Sequence, residues 1–284
     1  MFEDQVKQLR QFNKLVHSST HADNKLATGQ LRVGIDLGTA TIVFAVINEQ
    51  GDPVYGESVP DQAIRDGVIV NYLDAVRIVQ GIRERAEAAL GTQLTTAAGA
   101  IPPGVGTGNS KAVANVIEDA GLHCSNIVDE PTAAATFLKV KTGTIVDVGG
   151  GTTGISVFEN NKLIHVGDEA TGGYHMTLVL AGSEHISHTE AETLKQDHQR
   201  EHEVFPVIRP VVEKMATIVD QVAEQRPVEP IVVVGGASNF SEFTTTMAKV
   251  LDQPVEGIIN PEFVTPLGIA LSDDPLQEAT SDGY

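Results

Sequence analysis

Two α/β domains in tandem, built on one plan, are predicted by three features of this 284-residue chain. The stretch "RVGIDLGTATIVFAVI" (32–47) reads as a strand, a tight glycine turn and a second strand. The stretch "GTIVDVGGGTTGISVF" (143–158) repeats that plan 111 residues later, as the spacing of Asp36 and Asp147 shows. Each hairpin is followed by a third strand-like run and then by helical spacing, the alternation of an α/β layered fold. The length suits two modest domains.

The composition narrows the function. With 41% hydrophobic and 20% charged residues the chain is of ordinary globular type. A net charge of −19 argues against nucleic acid, whose phosphates call for a basic footprint. Runs such as "PIVVVGGA" fall far short of the roughly 18 apolar residues of a membrane span. The start "MFEDQVKQLRQF" has charges where a signal peptide has an apolar core. Cys124 is the only cysteine, which excludes an intramolecular disulfide, and in "GLHCSNIV" it reads as a packed thiol. A cytoplasmic location is expected.

Residues 1–29 form an extension. Phe2, Val6, Leu9, Phe12, Leu15 and Val16 recur at helical spacing, and "HSSTHADNKLATGQ" reads as a polar linker. The apolar face can dock on the body, the common fate of such a face, or fold into a partner's groove. From residue 31, "VGID" and "TIVFAVI" pair as a hairpin and "NEQGDPVY" turns into a third strand. "NYLDAVRIVQGIRERAEAAL" is helical and "LTTAAGAIPP" is a buried strand. "GVGTGNSK" (104–111) lacks the order of a phosphate-binding P-loop and is expected to be a flexible connection before the helix that carries Lys111. "SKAVANVIEDAG" is a helix stopped by Gly121, and "CSNIVDE" leads into the helix "PTAAATFLKV". The second domain follows with "NNKLIHVGDEA" as its third strand. Helices "GGYHMTLVLAG", "SHTEAETLKQDHQ" and "VFPVIRPVVEKMATIVDQVAEQ" come next, then the strand-turn "EPIVVVGGASNF". The expected division is 30–141 plus 259–275 for the first domain and 142–258 for the second. An acidic tail covers 276–284.

The matched hairpins carry the chemistry. Asp36 in "DLGTAT" and Asp147 in "DVGGGTTG" end equivalent strands. Gly38, Thr39 and Ala40 in one turn, and Gly149, Gly150, Gly151 and Thr152 in the other, expose backbone that can close on an anion. Two carboxylates do not bind phosphate themselves. They are explained by a cation between them, and Mg²⁺ keeps several waters and takes few carboxylates. Asp36 and Asp147 are therefore expected to hold hydrated Mg²⁺ against a nucleotide clamped between the hairpins. His198 and His202 have i,i+4 spacing in "HQREH" without the order of a zinc motif, and no metal is assigned there.

"DLGTAT", "DEPTAAA", "DVGGGTTG", "VVVGGASNF" and "NPEFVTPLGIAL" occur in one order over residues 31 to about 271. Together they resemble the nucleotide-site segments of the actin/DnaK-type ATPase superfamily. "RDGVIVNYLDAV", "IPPG", "DEATGG" and "AETLKQDH" are further similar to its chaperone-like ethanolamine-utilisation family, encoded with the ethanolamine microcompartment. The resemblance implies two ribonuclease-H-like domains with reduced insertions, a cleft for ATP or ADP between them, and Mg²⁺. It implies that Glu130 orients or activates the attacking water, and that Asp36 and Asp147 are the Mg²⁺-linked acids. Glu192 and Lys195 would meet ribose and adenine, with Gly235, Gly236, Ala237 and Ser238 against the adenosine. Ala133–Ala135 and Gly268–Ala270 would be the interdomain crossings.

The sequence also departs from the superfamily. "SVPDQAIRDGVIV" is too short for the subdomain that supplies a γ-phosphate lysine, and no lysine matches it. "KQDHQREHEVFP" leaves no insertion to wall the adenine. Slow hydrolysis and modest affinity are the expectation. The implied role is a weakly hydrolysing, chaperone-type protein acting on an ethanolamine-pathway enzyme, with the ammonia-lyase as one candidate, or on a microcompartment shell protein. The alternatives are a non-hydrolysing nucleotide-binding scaffold, a reactivase for a cobalamin-dependent ammonia-lyase, and a small-molecule kinase. Association with a bacterial microcompartment goes with the first.

Overall fold

The computed structural model describes residues 2–65, 67–104 and 106–275. The expected tail at 276–284 lies outside the described residues.

The first half runs α1 (Glu3–Val16), β1 (Arg32–Leu37), β2 (Thr41–Ile47), β3 (Pro53–Pro60), a short hairpin of β4 (Ile64–Arg65) and β5 (Val68–Ile69), α2 (Tyr72–Leu90), β6 (Thr96–Ile101), α3 (Thr107–Asp119), β7 (His123–Asp129) and α4 (Glu130–Leu138). The second runs β8 (Gly143–Val148), β9 (Thr153–Glu159), β10 (Lys162–Glu169), α5 (Gly173–Glu184), α6 (His188–Gln196), α7 (Glu201–Val222), β11 (Ile231–Val234), α8 (Phe243–Leu251), β12 (Val255–Gly257) and α9 (Val264–Leu271).

The duplication is a duplication of register. One sheet has the order β3-β2-β1-β6-β7 and the other β10-β9-β8-β11-β12. β1 and β2 pair from Arg32↔Ile47 to Leu37↔Ile42, and β8 and β9 pair from Gly143↔Phe158 to Val148↔Thr153. The second set is the first displaced by the Asp36–Asp147 interval throughout. A slip of one residue would turn every side chain to the other face, so the shared register puts both acids in equivalent places.

Both sheets are packed on two faces. Ile35, Phe44, Val79, Ile82 and Ile117 belong to the core beneath α2 and α3, and Phe205, Ile208, Met215 and Phe243 to the core beneath the second sheet's helices. A third core lies between the inner faces, where Val43 and Ile47 of one sheet and Ile145 and Val232 of the other cluster with residues of α4 and α9. The α4–α9 crossing depends on a missing side chain. A Cβ on Gly268 would stand 2.0 Å from the Ala133 carbonyl oxygen and 2.4 Å from its carbon. Because the obstacle is backbone, neither helix can yield locally. Gly268→Ala should therefore cost about 3 kcal/mol, the upper range for overpacking. Gly182→Ala, on α5 with nothing within 4 Å, should be neutral or slightly stabilising. Thermal melts of the two variants test this, and equal melting temperatures would refute the tight crossing.

Three expectations about connections change. α3 begins at Thr107, with Gly106 as its extended N-cap, so most of "GVGTGNSK" is helix rather than flexible connection. His198 lies in a separate 3-10 turn and His202 in α7, so the two do not share one helical face. The linker after α1 is pinned, not free: Asp23 N–H donates to the Val54 carbonyl at 2.8 Å and Gly56 N–H to that of His21 at 3.0 Å. α1 itself is docked, with Leu9 and Phe12 fully buried.

Candidate functional site

Each phosphate-type turn is closed by the same bond. Gly38 N–H donates to the Thr41 carbonyl at 3.1 Å, and Gly149 N–H donates to the Thr152 carbonyl at 3.0 Å. The amides of Thr39, Ala40, Gly150 and Gly151 donate to no backbone carbonyl among the described residues. They are the groups left for an anion. The two turns face each other: a Cβ on Gly150 would lie 3.3 Å from the Ala40 Cβ and 3.5 Å from the Thr39 Cβ.

Behind the turns lie the acids, within electrostatic reach of one another. Asp147 is buried, and Thr265 of α9 donates its hydroxyl to it at 2.5 Å. Burial raises its pKa to about 6 against the lowering by that hydroxyl. Asp36 is partly open to solvent but ringed by protein, and burial, then the Asp147 charge, raises it to about 7. Glu130 is the first residue of α4, whose N-cap Asp129 accepts from Thr132 N–H at 2.9 Å. Burial lifts its carboxyl well above the usual range, and Asp147, Asp36, Asp168 and Asp129 add to this in that order. Like charges in a low-dielectric site disfavour ionisation, and a cation among these groups would offset that repulsion. Among the described residues no group of three or more His, Cys, Asp or Glu could hold a metal ion directly. A donor set of separated carboxylates, with no third ligand close by, fits a cation that keeps its waters.

Asp168, near the end of β10, is the acid that sequence reasoning missed. Its segment "DEATGG" was singled out for its likeness to a family, but no charge pattern marked the residue. The duplicated plan does not mark it either, because Asp36 pairs with Val43 and Val43 with Ser58, so its counterpart on β3 is a serine.

Gly172 and Gly173 bring α5 against the second turn. Gly173 N–H donates to the Gly149 carbonyl at 3.0 Å and Tyr174 N–H to that of Gly150 at 2.7 Å. Lys195 and Glu192 of α6 brace this contact. Lys195 Nζ donates to the Gly173 carbonyl at 3.0 Å, the Thr177 hydroxyl at 2.8 Å and Glu192 Oε2 at 2.7 Å. The pair is thus tied into the protein beside the second turn, where a Cβ on Gly173 would lie 3.3 Å from Nζ and 3.2 Å from the Ala237 Cβ. Gly235 adopts φ +87°, a left-handed value that favours glycine, and a Cβ there would stand 2.4 Å from Asp147 Oδ1. Its carbonyl accepts the Ser238 hydroxyl at 2.7 Å, which fixes the Gly235–Ser238 loop beside the acids. The structure therefore brings Asp36, Glu130, Asp147, both turns, the α6 pair and the Gly235 loop together in one region.

Comparison with known proteins agrees with this architecture. The model of the cell division protein FtsA matches residues 144–268, and that of the MreB/Mbl protein matches residues 59–181. The ethanolamine utilization protein EutJ of Escherichia coli (strain K12) is 37% identical over 245 residues, 85% of this chain and 86% of that one. The crystal structure of EutJ from Carboxydothermus hydrogenoformans superposes with a TM-score of 0.88 at 41% identity, covering 95% of this chain and 98% of that one. MreB5 of Spiroplasma citri, solved with ADP, gives a TM-score of 0.69 at 17% identity over 89% of this chain and 99% of its own, a likeness of fold alone. The fold is the actin-like ATPase fold.

Proposed function

The chain belongs to the EutJ family of ethanolamine utilization proteins, and from that premise we propose an actin/DnaK-like, chaperone-type protein that binds and slowly hydrolyses ATP to assist an ethanolamine-pathway enzyme or the assembly of its microcompartment. The observation that carries the nucleotide part is the pair of equivalent turns, each closed by one bond and each backed by an acid. In this reading the phosphates lie against the amides of Thr39, Ala40, Gly150 and Gly151. Asp36 and Asp147 hold the water shell of Mg²⁺, which, when bound, offsets phosphate charge. Glu130 orients water and takes its proton. Glu192, Lys195 and the Gly235–Ser238 loop border the adenosine. Since the turn tips touch, nucleotide enters by parting them about the α4–α9 crossing, with 30–141 plus 259–275 and 142–258 as the moving domains.

Mg·ATP is expected to raise the melting temperature, and Asp36→Asn or Asp147→Asn to remove most of the rise. A ligand at one hundred times its Kd adds about 2.7 kcal/mol to the stability of the folded state. Differential scanning fluorimetry with millimolar Mg·ATP and Mg·ADP measures this. No shift with either would overturn nucleotide binding. A shift without phosphate release would instead favour the scaffold.

A further inference from the structure

Asp147, Gly154 and Asp168 stand abreast on three neighbouring strands. Asp147 pairs with Gly154 across β8 and β9, and Gly154 pairs with Asp168 across β9 and β10. Directly opposed residues of antiparallel strands project to one face, so both carboxylates rise from the same face with a bare position between them. Two strand spacings separate their backbones by about 10 Å. The bare position is where the first half of the molecule docks: a Cβ on Gly154 would lie 3.2 Å from Pro103 and 3.2 Å from Pro131. Pro131 follows Glu130 directly, so its seat on Gly154 sets the start of α4 at the level of the two acids.

We propose that Asp168 is a positioning residue for hydrolysis, accepting a hydrogen bond from the second O–H of the water that Glu130 activates. This rests on the hydrolytic reading above. The argument is one of donors and acceptors. Water has two O–H donors, and a single carboxylate holds it by one of them, leaving it free to turn. A second carboxylate on the other donor fixes both, so that a lone pair points along one line. As that lone pair forms the new bond to the γ-phosphorus, the bond to the β–γ bridging oxygen breaks and ADP leaves with its electron pair. One proton passes to Glu130. Asp168 keeps its hydrogen bond and takes no proton. The Asp168 charge contributes to the raised proton affinity of Glu130, which agrees with the two groups lying within electrostatic reach of each other.

The test compares wild type, Asp168→Asn and Asp168→Glu in steady-state phosphate release, alongside the melting shift produced by Mg·ADP. Asp168→Asn should lower kcat by about tenfold to a hundredfold, with KM and the Mg·ADP shift unchanged, and Asp168→Glu should recover part of the loss. A purely structural residue would change melting and binding together, and that result would overturn the proposal, as would wild-type kcat in Asp168→Asn. If Asp168→Asn does not fold, the comparison rests on Asp168→Glu: a displaced carboxylate should lower kcat alone, and an unchanged kcat refutes the role. Wild type that is stabilised by Mg·ATP yet releases no phosphate overturns hydrolysis itself, which is distinguishable from a failure of Asp168 alone.

Discussion

Glu130→Gln is expected to lower phosphate release by about a hundredfold or more while Mg·ATP and Mg·ADP still raise the melting temperature as in wild type. The amide matches the carboxylate in shape, so the start of α4 keeps its Asp129 cap and its Pro131 seat. It also removes one of the charges that Asp36 and Asp147 repel, so binding should hold or tighten. What the amide lacks is the capacity to accept a proton. A group needed only as the proton leaves acts in the transition state, and its loss falls on kcat rather than on binding. Single-turnover phosphate release, read beside nucleotide-dependent melting, separates the two. A variant that loses binding in step with turnover would make Glu130 a structural residue of the α4 cap.

The paired turns were legible in the sequence because they are short, local and repeated. "DLGTAT" and "DVGGGTTG" each specify a turn by themselves, and their repetition makes the acids at their starts conspicuous. Asp168 was not legible in that way. Its meaning comes from lying opposite Gly154 on a neighbouring strand, and pairing across strands is set by the fold and not by spacing along the chain. Lys195 illustrates a related gap. The E-x-x-K pattern showed that Glu192 and Lys195 share a helical face, but not that the Gly173 carbonyl and the Thr177 hydroxyl on α5 would bind the ammonium as well.

Connections were harder to read than elements. "GVGTGNSK" looked loose because three of its eight residues are glycine, yet the helix starts inside it. "HSSTHADNKLATGQ" looked like a free linker because its side chains are polar. The hydrogen bonds that fix it run through its backbone to β3, which side-chain composition does not report. Its few apolar residues, Ala22, Leu26 and Ala27, pack against the first core.

Removal of residues 1–16 is expected to leave the protein insoluble or without a cooperative melt, which opposes the reading of α1 as a tether. Phe12 sits over a position that has no side chain to obstruct it, since a Cβ on Gly56 of β3 would meet the Phe12 ring at 2.7 Å. The same ring meets Phe263 edge-on, with centroids 5.1 Å apart. Gln8 and Gln11 donate to the carbonyls of Gly51 at 2.8 Å and Pro53 at 2.7 Å, so the helix is held along β3 by polar bonds too. Phe2, Leu9, Phe12 and Leu15 are all buried. At about 1.5–3 kcal/mol for each buried side chain, their combined contribution rivals the whole stability of a typical domain, about 5–15 kcal/mol. Phe12→Ala provides the milder measurement, with an expected loss of about 3–5 kcal/mol in a chemical denaturation curve. A truncated chain that stays soluble and melts within a few degrees of wild type would restore the tether, and a partner's groove would then be the place to look for the apolar face.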